Sequence, residues 1–172
     1  MDNGLQNEKP ESPNWEQWLE CHAAAFLLFA RQQVQAEADA PDLVQDAIVE
    51  CARRIANGAP PPVGLVFATI RRRAVDLARS DARRANREAA VGAELPAAWF
   101  DSGVEDHERD LILEEAMRQL PQLYREVLTL KVWGELTFAE IGEALEISQH
   151  TAASRYRYGL EELRKLTKEI LI

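Results

Sequence analysis

Apolar residues recur along this chain at helical spacing. From Trp15 onward Trp18, Leu19, Ala25, Phe26 and Phe29 follow a helical period. A second amphipathic helix is expected from about Asp42 to Ala56, through Leu43, Ala47, Ile48 and Ile55. Pro41 falls in its first turn, where a missing N–H is harmless. Pro60, Pro61 and Pro62 stand in a row, so the stretch 57–64 must be a loop. Leu65 to about Ala90 has neither Gly nor Pro and carries Phe67, Ile70, Ala74, Val75 and Leu77 before turning Arg-rich and polar. That pattern predicts one long helix whose first half joins a core and whose second half projects.

The next stretch interrupts the periodicity. Residues 91–104 contain Gly92, Pro96 and Gly103 and read as a linker, with Leu95, Trp99 and Phe100 as apolar side chains able to dock on a neighbouring surface. A compact resting state with the linker docked is therefore an expectation. Helices resume over 105–120 and again from Pro121 to about Trp133, with Gly134 as the expected left-handed cap. The first 14 residues are polar, hold Pro10 and Pro13 and show no apolar period, which predicts a flexible tail. The fold class expected is all-α: two small helical domains, 15–90 and 105–172, joined by a flexible linker at 91–104.

The most informative stretch is Leu136 to Arg164. Thr137-Phe138-Ala139-Glu140 has the form of a capping box, and Phe138, Ile141 and Leu145 make one apolar face, with Ala139 and Gly142 small enough for a close helix crossing. Leu145-Glu146-Ile147-Ser148 makes a short turn, and Ser148 caps a second helix with the buried stripe Ala152, Tyr156, Leu160 and Leu163. This is the layout of a helix-turn-helix, whose second helix enters the DNA major groove. Its exposed side carries Thr151, Ser154, Arg155 and Tyr158, with Gln149 and His150 at the N-terminal end. Arg155 can bond a guanine edge with two donors, while Arg157, Arg164 and Lys165 suit phosphates. The competing reading is an antiparallel helical hairpin with a solvated basic end.

Charge refines this picture. Over 172 residues, 20 Lys and Arg stand against 29 Asp and Glu, a net charge of −9, which argues against coating nucleic acid by bulk attraction. The clustered positive charge lies in Arg71 to Arg87 and Arg155 to Lys168, as two nucleic-acid faces would require. Cys21 and Cys51 have no zinc spacing and read as two buried reduced thiols, and His22, His107 and His150 are scattered. No metal, cofactor or enzymatic chemistry is expected. The longest apolar runs, such as Ala23 to Ala30, fall far short of the roughly 20 residues that cross a bilayer. Nothing resembles a signal peptide, so a cytoplasmic protein without membrane association is expected.

Particular residues also carry a family resemblance. Gln119-Leu120-Pro121, Tyr124-Arg125-Glu126-Val127-Leu128, Leu136 to Gly142, Ile147-Ser148, Thr151, Ser154-Arg155 and Leu163-Arg164 together resemble region 4 of the extracytoplasmic-function sigma factors. That domain binds the minus-35 promoter element in the family. Ala40 to Asp46 resembles the acidic-Asp-Leu-Val-Gln signature of region 2, and Ala74-Val75-Asp76 with Arg79, Arg83-Arg84 and Arg87 resembles the end of that domain. The resemblance implies that the helix bearing Asp42, Leu43, Gln45 and Asp46 docks on core RNA polymerase. It further implies that Arg72, Arg79, Arg83 and Arg87 face minus-10 DNA, where guanidinium groups neutralise phosphates and stack on bases. The partners it implies are core RNA polymerase, promoter DNA and an anti-sigma protein, with a monomer when free.

Four departures stand against the family pattern. Arg72 takes the place of an Asn, and the proline loop holds no aromatic side chain to stack on a flipped base. Glu146 stands where the turn usually has Gly, and Ala153 and Tyr158 occupy positions that are often basic. Two other functions stay open on the sequence: a stand-alone helix-turn-helix regulator, and a sigma-like adaptor or decoy.

Overall fold

The computed structural model describes residues 14–85, 99–100 and 107–170, with the side chains of residues 57, 84, 85 and 107 excepted. Seven α-helices make up the described fold: α1 (Trp15–Gln33), α2 (Asp39–Ala52), α3 (Val63–Ala85), α4 (His107–Gln119), α5 (Gln122–Val132), α6 (Phe138–Leu145) and α7 (Gln149–Ile170). No strand occurs among the described residues, as the all-α expectation requires. The expected tail lies outside these residues apart from Asn14, and so does the linker apart from Trp99 and Phe100.

Local chemistry sets the helix ends. Asn14 caps α1, accepting a hydrogen bond from the Glu16 amide at 2.9 Å. Pro121 precedes α5 with φ −50°, a conformation its ring favours and a position where a helix leaves its amides unbonded anyway. The three prolines lie in a loop, but it is shorter than the expected 57–64: α2 ends at Ala52, a 3-10 turn occupies Ala56–Gly58, and α3 already begins at Val63, directly after Pro62, because a proline is tolerated at a helix start.

Helices α1, α2 and α3 pack around Phe26, Phe29, Ala47, Val66, Phe67 and Ile70. The Phe67 ring meets Phe26 and Phe29 edge-on, with centroids 4.8 and 5.3 Å away. Cys51 is buried beside Thr69, Sγ to Oγ1 3.2 Å, whereas Cys21 is exposed, so only one of the two thiols is buried as expected. Leu19 also faces outward, one position off the stripe set by Ala25, Phe26 and Phe29.

This core does not stop at the linker. Val127, Leu130, Leu136, Ile141 and Ala144 belong to the same apolar cluster as the α1–α3 residues, because α5 packs on α1 and α6 packs on α3. Gly134 shows what that contact demands. It does not adopt the left-handed conformation expected of it; Glu135 does, with φ 54°. A Cβ on Gly134 would lie 2.7 Å from the Leu130 carbonyl oxygen and 3.0 Å from the Phe67 ring, so glycine is needed there for close approach across the seam.

Candidate DNA-reading site

The helix-turn-helix forms as the residue pattern specifies. Glu140 receives the Thr137 amide at 2.8 Å while its own amide donates to the Thr137 hydroxyl at 3.2 Å, closing the capping box. These bonds, the Thr137 amide first and its hydroxyl second, hold the Glu140 carboxyl below the usual carboxylate range. Glu146 ends α6 in the left-handed conformation, φ 57° and ψ 43°. The Ile147 amide then bonds the Gly142 carbonyl at 2.9 Å and the Glu146 amide points to that of Glu143 at 3.4 Å, a Schellman turn. Ser148 accepts from the Thr151 amide at 3.0 Å and so caps α7.

Two details of the packing differ from the sequence expectation. Ala139 is exposed, and Gly142 alone makes the crossing: a Cβ there would lie 2.7 Å from the Ile147 carbonyl oxygen. On α7 the inward line runs Ala152, Tyr156, Gly159 and Leu163, while Leu160 is turned outward. The period of 3.6 favours the position beside Leu160, where a glycine lets α5 approach. A Cβ on Gly159 would come within 3.1 Å of Tyr124 Cβ.

The outer face of α7 gathers the expected residues. Gln149, His150, Ser154, Arg157 and Tyr158 are exposed, and Thr151 and Arg155 are half-buried. Thr151 shares a 2.8 Å hydrogen bond with Ser148, and the Arg157 guanidinium lies 4.9 Å from the Tyr158 ring centre. Lys165 is paired with Glu162 at 3.2 Å, which raises its pKa.

On α3 the positions of Arg72, Asp76, Arg79 and Arg83 fall on one line, because separations of seven and four residues return to nearly the same side of a helix. Arg79 and Arg83 are exposed; Arg79 is 3.9 Å from Asp76, and the Arg83 Nε donates to the Arg79 carbonyl at 3.1 Å. Arg87 lies outside the described residues. Arg72 is bound to Glu50 on α2, which also takes Arg73 Nε at 2.9 Å and Arg54 at 2.6 Å. Hydrogen bonds from Arg72, then from Arg73, hold the Glu50 carboxyl below its usual range. Glu50 thus gathers three guanidinium groups, an arrangement the sequence reading missed; its only local signal is Arg54 four residues on.

On α2, Asp42, Gln45 and Asp46 are exposed, while Leu43 is buried beneath them. Asp46 also receives Arg73 at 3.1 Å. Asp39, Asp42, Asp46, Glu50 and Asp76 line a groove between α2 and α3 together with Arg72 and Arg73, which offset part of its negative charge. Among the described residues no cluster of His, Cys, Asp and Glu could hold a metal ion, and no helix is long and apolar enough to cross a membrane.

Comparison with known proteins bears on both halves. Residues 110–171 match the family described as Sigma-70, region 4. The chain is 27% identical over 153 residues to the RNA polymerase sigma factor SigV of Bacillus subtilis, covering 87% of this chain and 89% of that protein. It is 28% identical over 152 residues to the RNA polymerase sigma-E factor of Streptomyces avermitilis, covering 88% and 83%. The ECF RNA polymerase sigma factor SigK of Mycobacterium sp. (strain KMS) is 32% identical over 114 residues, 62% of this chain and 56% of that one. In fold the chain is similar to the sigma factor RpoE of Bartonella quintana, solved in complex with the anti-sigma factor NepR. The TM-score is 0.64 at 20% identity, over 89% of this chain and 96% of that one.

Proposed function

We propose that this chain, a sigma-70-family protein of the extracytoplasmic-function type, is an alternative sigma factor that binds core RNA polymerase and directs it to promoters. The observation that carries the reading is the capped helix-turn-helix over Thr137 to Tyr158, lying inside the region 4 match and joined to an N-terminal half that is also similar to sigma factors. In this reading residues 15–90 act as region 2, 91–104 as the linker and 105–172 as region 4. The protein works in the cytoplasm, on DNA, and performs no covalent chemistry of its own.

The exposed face of α7 supplies minus-35 contacts. Gln149, His150, Thr151 and Ser154 reach base edges, Arg155 offers two donors to a guanine, and Arg157 and Tyr158 take the adjoining backbone. Arg79, Arg83 and Arg87 follow the minus-10 strand, with Arg72 at the near end of their line, its charge partly offset by Glu50. Asp42, Gln45 and Asp46 meet a basic surface of the polymerase, and buried Leu43 holds their helix in place. Two modest DNA contacts joined through the polymerase suffice, because linkage raises the effective concentration of the second. An anti-sigma protein is a further expected partner.

The test is run-off transcription with core polymerase on fragments of the source genome, comparing wild type with Arg155→Ala and Asp42→Ala. Initiation by wild type that fails in both variants is the expected result. Core binding without initiation anywhere would favour a sigma-like adaptor or decoy. Specific DNA binding by the chain alone, with no binding to core, would favour a stand-alone regulator.

A further inference from the structure

The Glu50 side chain on α2 is only 19% exposed, and both of its oxygens accept hydrogen bonds. Oε2 accepts from Arg73 Nε at 2.9 Å, and Arg73 also reaches Asp46 at 3.1 Å, so these bonds pin α3 to α2. Oε1 has a different set of donors. It accepts from Arg54 Nη2 at 2.6 Å and also from Arg72 Nη2 of α3, which sets two guanidinium groups side by side. Arg54 lies just past the end of α2, its amide bonded to the Cys51 carbonyl at 3.0 Å. The DNA-facing line read from the sequence begins only at Arg72.

Two features separate the Arg54–Arg72 pair from a bond that merely ties helices together. Both side chains are more than half exposed, 58% and 52%, against 32% for Arg73. Each gives Glu50 a single nitrogen out of a fork of five N–H donors, which leaves donors for a second acceptor. The charges do not balance either: Arg54, Arg72 and Arg73 stand against Glu50 and Asp46, an excess of one positive charge in a chain of net charge −9. Two cations gathered at one oxygen repel each other, and an anion placed across them relieves that repulsion. A phosphodiester suits this chemistry, because each of its two unesterified oxygens can take one guanidinium group. Arg54, Arg72 and Arg79 line one groove, so the pair extends the line of Arg72, Arg79 and Arg83 onto the end of α2. Acids flank the pair on both sides, Glu143 and Glu146 in that groove and Asp42 and Asp76 in the groove between α2 and α3, so an anion is drawn to the guanidinium pair and not to the grooves at large.

We propose that Arg54 and Arg72 form a seat for one phosphodiester of the promoter strand, and that Glu50 is the positioning residue that builds it. The proposal rests on the sigma-factor reading above and adds to it a DNA contact, Arg54, and a reason for Arg72. That arginine takes the place of an Asn, and Glu50 fixes its guanidinium group against that of Arg54, so the departure from the family pattern yields a phosphate clamp. The carboxylate lowers the local positive charge by one. It also orders two long side chains in advance, which removes that entropy cost from DNA binding. Bulk attraction and preorganisation therefore predict opposite effects of removing Glu50.

The test uses the full chain with core polymerase on a promoter fragment at which wild type initiates, and reads promoter affinity across a series of KCl concentrations. Arg54→Gln should weaken binding about fivefold and flatten the slope of log affinity against log salt by about 0.7–0.9, the value for one phosphate. Arg53→Gln removes the same charge from the exposed neighbour, which no bond ties to Glu50 among the described residues, and should change both quantities less. An equal effect would mean bulk charge and overturn the seat. Glu50→Ala adds a positive charge yet should bind several times more weakly; binding tighter than wild type overturns the positioning role. Far-UV circular dichroism checks that each variant is folded, and if Glu50→Ala is not, exposed Arg54 still decides. Methylphosphonates placed one at a time along the minus-10 strand locate the contact: one position should weaken wild type and leave Arg54→Gln indifferent. The absence of any such position overturns the assignment to a DNA phosphate. If wild type with core initiates at no promoter, the sigma-factor reading falls and the seat with it, whereas initiation with Arg54→Gln equal to wild type in affinity and slope sinks the seat alone.

Discussion

Gly142→Ala sets two effects of known size against each other. Gly142 lies inside α6, where alanine is preferred over glycine by about 1 kcal/mol on helix propensity alone. The new Cβ, however, would stand 2.7 Å from the Ile147 carbonyl oxygen and 3.2 Å from the Gln149 nitrogen. Both are backbone atoms of the turn, so no side chain can rotate away. Forcing a close-packed site apart costs about 1–3 kcal/mol. The Ile147 amide bond to the Gly142 carbonyl, 2.9 Å long, weakens as the turn is pushed back, costing about 1 kcal/mol more. The clash wins: the net expectation is a loss of about 1–3 kcal/mol. At roughly 2–4 °C per kcal/mol for a chain of this size, Tm falls by several degrees. Thermal unfolding followed by far-UV circular dichroism measures it, with Ala139→Gly at an exposed position of the same helix as the gauge of propensity. A Tm for Gly142→Ala equal to or above wild type would refute the packing argument. The same displacement moves α7, so initiation should fall further than the stability loss alone explains.

Glu146→Gly should act in the opposite direction. A left-handed non-glycine residue costs about 1–2 kcal/mol, against about 0.5–1 kcal/mol for the extra chain entropy of glycine, so stability should rise by roughly 0.5–1 kcal/mol in denaturant titration; a loss would contradict the strain assigned to φ 57°. Glu50 and Glu140 have folded pKa values below their ordinary 4.5. Their contribution is therefore complete above about that pH and disappears as pH falls through the lower folded values. The Tm gap between wild type and Glu50→Gln should narrow from pH 5 to pH 3, and a gap independent of pH would remove the ion-pair explanation. A double-mutant cycle of Arg71→Ala with Glu126→Ala should return a coupling of about 1 kcal/mol or more, because Glu126 is buried while Arg71 is about one-third exposed. A coupling within error of zero would show that the pair does not hold the seam.

Much of the candidate site was legible because its determinants are local. The capping box and the Ser148 cap each depend on a few consecutive residues, and a regular apolar period marks the long helices, whereas the left-handed conformation of Glu146 came from the structure. Exposure along α7 followed the same period, with a slip at Leu160 because Gly159 takes the inward place. The role of Gly134 was misread for a related reason. Its position just after α5 suggests a left-handed cap, whereas its lack of a side chain serves Phe67, which is 67 residues earlier in the chain.

By itself the sequence determined that the protein is helical, roughly where most helices begin and end, and which face of α7 is exposed. Only the tertiary structure decided what the two halves do to one another. Glu50 collects three arginines, Glu126 is buried against Arg71, and Trp99 is tied to α1 and α4 at once. Helical periodicity reports which side of a helix turns away from water, but not what covers it. That depends on which residues far apart in the chain meet, and on whether the charges and amides brought together there find partners.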